Sequence, residues 1–99
     1  MNKIFLKGNL TNDPDFTRGK KDKPSHVTFS IAVNRSYGEK VDFFFCNAWR
    51  TTAEFINEHF EKGSPIIVIG SVETYKKDDT TQFSINVDSV EFAGFKKEK

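Results

Sequence analysis

The sequence predicts an all-β domain with one helix, and its composition is the first reason. The 99 residues include eleven Phe, two Tyr and one Trp, whereas leucine occurs only at Leu6 and Leu10. Aromatic and β-branched side chains suit the pleated surface of a sheet, and chains poor in leucine rarely build helical bundles. Most segments alternate apolar and polar residues, as strands do. The length fits one domain, predicted at residues 1–95, with a short charged tail at residues 96–99.

Alternating side chains predict three strands in the first half of the chain, separated by two polar connections. They are placed at residues 3–10, 26–34 and 41–50. The first connection, at residues 11–25, is rich in turn formers and charge, which predicts a loop without regular structure. The third strand is apolar on both faces, so one face can cover a core while the other requires an explanation of its own.

A helix and two further strands follow. Thr51 and Glu54 have the spacing of a capping box, which predicts the first turn of the helix. Residues 65–72 form a β-branched run and are predicted to be a fourth strand buried on both faces. A charged turn is predicted at residues 75–80. The fifth strand follows it, with a bulge near residues 88–89 where the apolar face changes.

Three strands, a helix and two more strands are the layout of the OB-fold, a five-stranded Greek-key barrel. The sequence therefore predicts this barrel, with the helix between the third and fourth strands. Phenylalanines in a small domain usually lie in its core. Six of them are assigned to the core here: Phe5, Phe29, Phe55, Phe60, Phe83 and Phe92.

Composition argues against several classes of protein. No stretch approaches the ~20 apolar residues of a membrane span, and charge interrupts the amino terminus too early for a signal peptide. A cytoplasmic location is therefore expected. Cys46 is the only cysteine, and the two histidines, His26 and His59, are interpreted as ordinary surface or strand-edge residues. Because no metal-ligand spacing, phosphate loop or catalytic carboxylate motif is present, we predict no metal site, no cofactor and no enzymatic activity.

The outward face of the third strand is the candidate site. Phe43, Phe45 and Trp49 share this face and would form a ladder of flat rings. Unpaired bases stack on such rings for about 1–3 kcal/mol each, whatever their sequence. Burial of the same rings in a subunit interface is the alternative explanation.

Basic residues flank this face, although the formal net charge of the chain is only +1. They are Arg35, Lys40, Arg50, Lys76, Lys77 and the loop at residues 18–23. The glutamates belong to the predicted helix, so a nearly neutral chain can still present a positive groove. Asp78 and Asp79 weaken the positive charge of the last turn. The lysines of the loop are interpreted as mobile surface residues with weak electrostatic attraction.

Several short motifs, in order along nearly the whole chain, carry a family resemblance. They are NKIFLKGNL at residues 2–10 followed by Asp13-Pro14, FSIAVNR at 29–35, DFF at 42–44, AW at 48–49, KGSP at 62–65 and Gly70. Each motif alone has little specificity, but their order and spacing together are highly specific. In these features the chain resembles the bacterial and phage single-stranded DNA-binding proteins.

The resemblance implies which residues contact DNA. It suggests Tyr37, Phe43 and Trp49 as base-stacking residues, and Arg35, Lys62 and Lys76 as backbone contacts. Lys77 stands where the family commonly has an aromatic residue, and Tyr75, two residues earlier with the same parity, is a substitute. Two connections are shorter than is usual in the family, so a smaller footprint per subunit is expected. Phe44 lies near a position where the family's subunits meet.

The leading hypothesis is sequence-independent binding of single-stranded DNA, with the protein nucleoid-associated when on DNA. It would protect exposed strands in replication, recombination and repair. The alternative is an OB-fold adaptor, resembling the primosomal replication subunits, whose aromatic face docks protein partners. A homotetramer or homodimer is expected. The family's acidic recruitment tail is absent from this sequence, either because a longer chain was cut or because the protein lacks it.

Overall fold

A computed structural model describes residues 1–94 of the chain and contains six strands and one helix. The elements are β1 (Ile4–Leu10), β2 (Asp15–Thr17), β3 (His26–Asn34), β4 (Val41–Trp49), α1 (Arg50–His59), β5 (Pro65–Lys77) and β6 (Thr80–Phe92). The predicted order of three strands, a helix and two strands is confirmed, with β2 as an additional short strand. The predicted charged tail at residues 96–99 lies outside the described residues.

Five of the strands close into a barrel. They pair in the order β1-β5-β6-β4-β3, and β1 closes the ring because its last two residues also pair with β3. The short strand β2 adds to the outer edge of β3. Since α1 connects β4 to β5, the helix lies between the third and fourth strands of the barrel, as the OB-fold prediction requires.

The barrel interior is filled by the inward-facing side chains of the strands and by one face of the helix. The buried apolar residues are Leu10, Val27, Phe29, Ile31, Cys46, Ala48, Ala53, Ile56, Phe60, Ile66, Val68, Ile85 and Val87. Removing this apolar surface from water is the main stabilising contribution to the fold. Because the side chains of a strand alternate, each inward residue of β4 leaves its neighbours facing outward.

The first connection is more ordered than predicted. The turn formers and charge at residues 11–25 predict no regular element, but β2 pairs there with the first residues of β3. Lys20 and Lys23 also form a bridge with two backbone hydrogen bonds. This prediction was wrong because β3 offers an unpaired backbone edge, and a segment can satisfy that edge without an apolar pattern of its own.

Strands β5 and β6 are longer than predicted and project beyond the barrel as a two-stranded arm (residues 73–83), all of whose residues are exposed. The predicted turn at residues 75–80 reduces to Asp78 and Asp79. Their φ angles of 52° and 64° fit the tight turn that joins two strands directly. The bulge predicted near residues 88–89 is confirmed, since Ile69 pairs with Ser89 and the next residue, Gly70, pairs with Val87.

The helix begins one residue earlier than the predicted capping box. It starts at Arg50, and the residue before it makes no side-chain capping hydrogen bond. The carboxylate of Glu54 instead accepts a hydrogen bond of 3.0 Å from the hydroxyl of Ser25. The box does not form because this carboxylate is used to join the helix to the first connection. Within residues 1–94 no helix is long and apolar enough to cross a membrane.

The predicted phenylalanine core is correct for two residues and wrong for four. Phe29 and Phe60 are buried, whereas the rings of Phe5, Phe55, Phe83 and Phe92 are exposed in the single chain. Phe55 and Phe92 still contact each other and Phe60 beside the helix. The error has a geometric cause, because a closed barrel buries only its inward residues and its narrow interior is already full.

Candidate nucleic-acid interface

The aromatic face is the outward side of β4. Cys46 and Ala48 point into the core and are fully buried. The alternate residues of β4 point outward, and of these Phe43, Phe45 and Trp49 are 66%, 51% and 40% exposed. Successive residues on one face of a strand lie about 7 Å apart. The three rings therefore form a row along the sheet surface, with Asn47 between Phe45 and Trp49. We call these three side chains the β4 aromatic row.

The carboxyl-terminal end of the row is built on a stacked pair. His26 is directly opposite Trp49 in the β3–β4 ladder. Their ring centroids are 4.7 Å apart and the ring planes meet at 23°. The imidazole Nε2 lies 3.1 Å from Oδ1 of Asn47, to which it donates a hydrogen bond. His26, Asn47 and Trp49 therefore form one connected group on the outer face of the barrel.

The connection between β3 and β4 places Tyr37 and Arg35 beyond the other end of the row. Tyr37 is 76% exposed and has its ring free in solvent. Arg35 makes two hydrogen bonds of 3.0 Å to the carboxylate of Asp42. These hydrogen bonds lower the pKa of Asp42 below its ordinary value and raise that of Arg35. Asp42 alternates with Phe43, so the predicted phosphate contact Arg35 is held on the face of β4 opposite the row, with its charge partly neutralised by a carboxylate.

The arm brings Tyr75 and Lys77 to the same side of the sheet as the β4 aromatic row. Residues paired across neighbouring strands share a face, and Tyr75 pairs with Gln82 on β6. Asn86, four residues further along β6 and thus on the same face, pairs with Asn47 of β4. Lys76 alternates with Tyr75 and Lys77 and lies on the opposite face of the arm.

Arg50 follows Trp49 at a sharp turn from strand to helix. Its φ of 60° is in the left-handed region, which is uncommon for a residue other than glycine. The backbone N–H of Arg50 donates a hydrogen bond of 2.8 Å to the carbonyl of Ser25, which stabilises the turn. Arg50 lines a shallow cleft together with Arg18, Lys20 and Lys23. Glu54 is the acidic residue in the same cleft.

Lys62, like Arg35 and Lys76, is a predicted site residue that the structure does not bring to the face of the row. It lies beyond the carboxyl-terminal end of α1, whereas Trp49 precedes the amino-terminal end. The backbone N–H of Lys62 donates a hydrogen bond of 2.8 Å to Asp13. Lys62 therefore belongs to a different part of the surface from Arg50 and the row.

The thiol of Cys46 lies on the core side of β4, beneath the aromatic face. Burial raises the pKa of the Cys46 thiol to about 12, so the thiol is protonated at neutral pH and is a poor nucleophile. Within residues 1–94 no group of three or more His, Cys, Asp or Glu side chains is placed to hold a metal ion. Flat rings, amides and nearby cations suit non-covalent binding of a flat, negatively charged ligand.

Two features of the site were missed by sequence analysis. His26 was interpreted as a surface or strand-edge residue, and the cations near Arg50 were interpreted as a mobile loop. The signal for His26 was available, because the hairpin pairs Asn34 with Val41. Counting eight residues back from Asn34 and eight forward from Val41 places His26 opposite Trp49. The cleft beside Arg50 had no comparable signal, since it depends on the bridge between Lys20 and Lys23.

A five-stranded barrel with a helix between its third and fourth strands defines an OB-fold protein. The model of the single-strand binding protein family matches residues 1–93. The chain belongs to this family.

Three curated relatives are similar over most of the chain. A single-stranded DNA-binding protein of Fusobacterium nucleatum is 36% identical over 103 aligned positions, which cover 93% of this chain and 66% of the relative. A single-stranded DNA-binding protein of Caldanaerobacter subterraneus is 38% identical, and the alignment covers 82% of this chain and 57% of the relative. Single-stranded DNA-binding protein 2 of Listeria monocytogenes is 39% identical, and the alignment covers 80% of this chain and 52% of the relative. The chain therefore spans between about half and two thirds of the length of these relatives.

Proposed function

We propose that this domain binds single-stranded DNA without regard to base sequence. The observation that carries the proposal is the β4 aromatic row, three exposed rings on one face of a family member's barrel. Every base has a flat π-face, so stacking on Phe43, Phe45 and Trp49 discriminates little between sequences. Tyr37 in the β3–β4 connection and Tyr75 on the arm both extend the stacking surface at the Phe43 end of the row. Protection of exposed strands in replication, recombination and repair is the role we assign to this binding.

Phosphate contacts come from three cations near the row. Arg50 directly follows Trp49, Lys77 lies on the arm, and Arg35 lies on the other face of β4, where a phosphate would compete with Asp42 for the guanidinium. Lys76 and Lys62 are more distant contacts. A DNA strand would reach Lys76 by passing around the arm, and Lys62 by passing around the helix. The ion pair is exposed to solvent and contributes little to stability, so exchanging Asp42 for a phosphate costs little.

Titration of the protein with oligo(dT) tests the proposal through the fluorescence of Trp49, the only tryptophan. We expect strong quenching, because a base stacked on the indole quenches its fluorescence efficiently. If three cations contact phosphates, the logarithm of the affinity should fall with the logarithm of salt concentration with a slope of about −2. The same titration with duplex DNA of equal length should give little quenching, since paired bases do not expose their faces.

Two outcomes would contradict this proposal. An unchanged Trp49 signal, together with unchanged anisotropy of a labelled oligonucleotide, would mean that the row does not bind DNA. The face would then be better explained as a docking surface for a protein. Equal binding of duplex and single strand would mean that phosphate attraction, rather than stacking, dominates.

We also propose that the domain assembles as a homotetramer or homodimer. Phe5, on the outer face of β1, is 66% exposed and pairs with Ile69 of β5, so an apolar patch lies away from the β4 aromatic row. Light scattering at micromolar concentration should give two or four times the mass of one chain. Replacing Phe5 by glutamate should shift the population toward monomers, whereas a monomeric mass for the unaltered protein would contradict the proposal.

A further inference from the structure

We infer that His26 is a positioning residue for the Trp49 stacking site, holding the indole ready for a base on its free face. The inference rests on the proposed function, because it assigns a role within that binding site. It starts from the stacked pair itself. The centroid separation of 4.7 Å and the angle of 23° between planes are those of a favourable offset stack.

The orientation of the imidazole is fixed independently of Trp49. An amide oxygen can only accept a hydrogen bond, so Nε2 of His26 carries the hydrogen that it donates to Oδ1 of Asn47. Asn47 is on the outward face of β4, two residues before Trp49, and is half-buried. The ring is therefore held by a hydrogen bond as well as by stacking, and rotation of the ring would break one or both of these contacts.

The backbone on both sides of the pair is also fixed. His26 and Trp49 face each other across the β3–β4 ladder. Immediately beyond them, the N–H of Arg50 donates to the carbonyl of Ser25 at 2.8 Å, and the Ser25 hydroxyl donates to Glu54 at 3.0 Å. The end of the strand pair is thus joined to the first turn of the helix, which limits movement of the stacked rings.

The consequence for binding is that one face of the indole is covered and the other is presented to solvent. An exposed tryptophan without such a support loses rotamer freedom when a base stacks on it, and that loss weakens binding. Because the imidazole already orders the indole in the free protein, little further side-chain entropy is lost when a base binds. Trp49 remains 40% exposed, so the ring still offers one face to a ligand.

The experiment compares His26→Ala with His26→Phe and with the unaltered protein. Removing the ring should weaken binding of labelled oligo(dT) by about three- to tenfold, the range expected for loss of one aromatic pair. It should also reduce the near-UV circular dichroism of Trp49 in the absence of DNA, because the indole gains freedom. Phenylalanine restores a flat ring and should return both the affinity and the dichroism close to those of the unaltered protein.

Asn47→Ala and His59→Ala complete the design. Removing the Asn47 amide should weaken binding by about twofold, since the imidazole keeps its stack but loses its hydrogen bond. His59 is the other histidine of the chain and is exposed at the far end of α1, where it contacts Phe55 and Phe92. His59→Ala is therefore the matched control, expected to leave both measurements unchanged. Thermal unfolding of each variant shows whether it is folded.

The outcomes separate this inference from the proposed function. If the unaltered protein does not bind oligo(dT), the proposed function fails and the role of His26 fails with it. If the unaltered protein binds and His26→Ala binds within twofold of it with unchanged dichroism, only the role of His26 is overturned. Equal weakening in His26→Ala and His26→Phe would also overturn it. If His26→Ala does not fold, the other two variants decide. Retained affinity in His26→Phe together with weaker binding by Asn47→Ala supports the inference. Weaker binding by His26→Phe together with unchanged binding by Asn47→Ala overturns it.

Discussion

Replacing both Phe43 and Trp49 by alanine is expected to weaken binding of single-stranded DNA by about 1,000-fold. Each stacked base contributes about 1–3 kcal/mol by alanine substitution, so two independent stacks contribute about 4 kcal/mol at the middle of that range. The two residues are six positions apart on one strand, about 20 Å at the rise of a β-strand. At that distance the two single effects should add.

The measurement is the anisotropy of a labelled oligo(dT), because the double variant no longer contains tryptophan. The two single variants and the double variant form a cycle that tests additivity directly. Phe92→Ala is the control, since this ring is also exposed, at 58%, but packs on Phe60 beside the helix with centroids 5.1 Å apart. Single variants that bind within about twofold of the unaltered protein would contradict a stacking role for the row.

The row itself could be predicted from the sequence because alternation determines which side chains share a face. The predicted strand at residues 41–50 differs from β4 by one residue, and the outward parity of Phe43, Phe45 and Trp49 follows from it. The strand predicted at residues 26–34 has the same bounds as β3. Both strands line a buried core on one side, so their apolar pattern had to match their structure.

Other features depend on pairing rather than on pattern. The arm formed by β5 and β6 buries no side chains, so it carries no apolar alternation. The backbone hydrogen bonds and the turn at Asp78 and Asp79 determine its extent. The position of Lys62 away from the row depends on the length of α1. The pairing of Arg35 with Asp42 depends on the register of the hairpin. This register brings together two side chains that are seven positions apart in the sequence.

The bulge in β6 is the packing feature with the largest predicted effect on stability, and Gly70 lies directly beside it. Gly70 pairs with Val87, after the register between β5 and β6 has shifted by one residue. A Cβ atom built on Gly70 would lie 2.1 Å from the carbonyl oxygen of Asn86 and 3.1 Å from Cα of Val87. Both atoms belong to the backbone, which cannot move aside as the end of a flexible side chain can.

Gly70→Ala is therefore expected to lower the free energy of unfolding by about 2–3 kcal/mol and the melting temperature by roughly 10–20 °C. Gly38→Ala is the contrasting variant, because no atom lies within 4 Å of its added Cβ, although its φ is 75°. There the cost is conformational only, about 1–2 kcal/mol. Thermal and denaturant unfolding measure both variants, and a Gly70→Ala protein as stable as the unaltered one would contradict the close approach.

The same substitution should also affect the DNA-binding face. Asn86, whose carbonyl the new methyl group would displace, pairs with Asn47 of β4, and Asn47 accepts the hydrogen bond from His26. A shift of β6 at this point changes the support of the imidazole under Trp49. We therefore expect Gly70→Ala, at a temperature where it is folded, to show reduced near-UV dichroism of Trp49. Gly38→Ala should not, since it lies in the connection at the other end of the row.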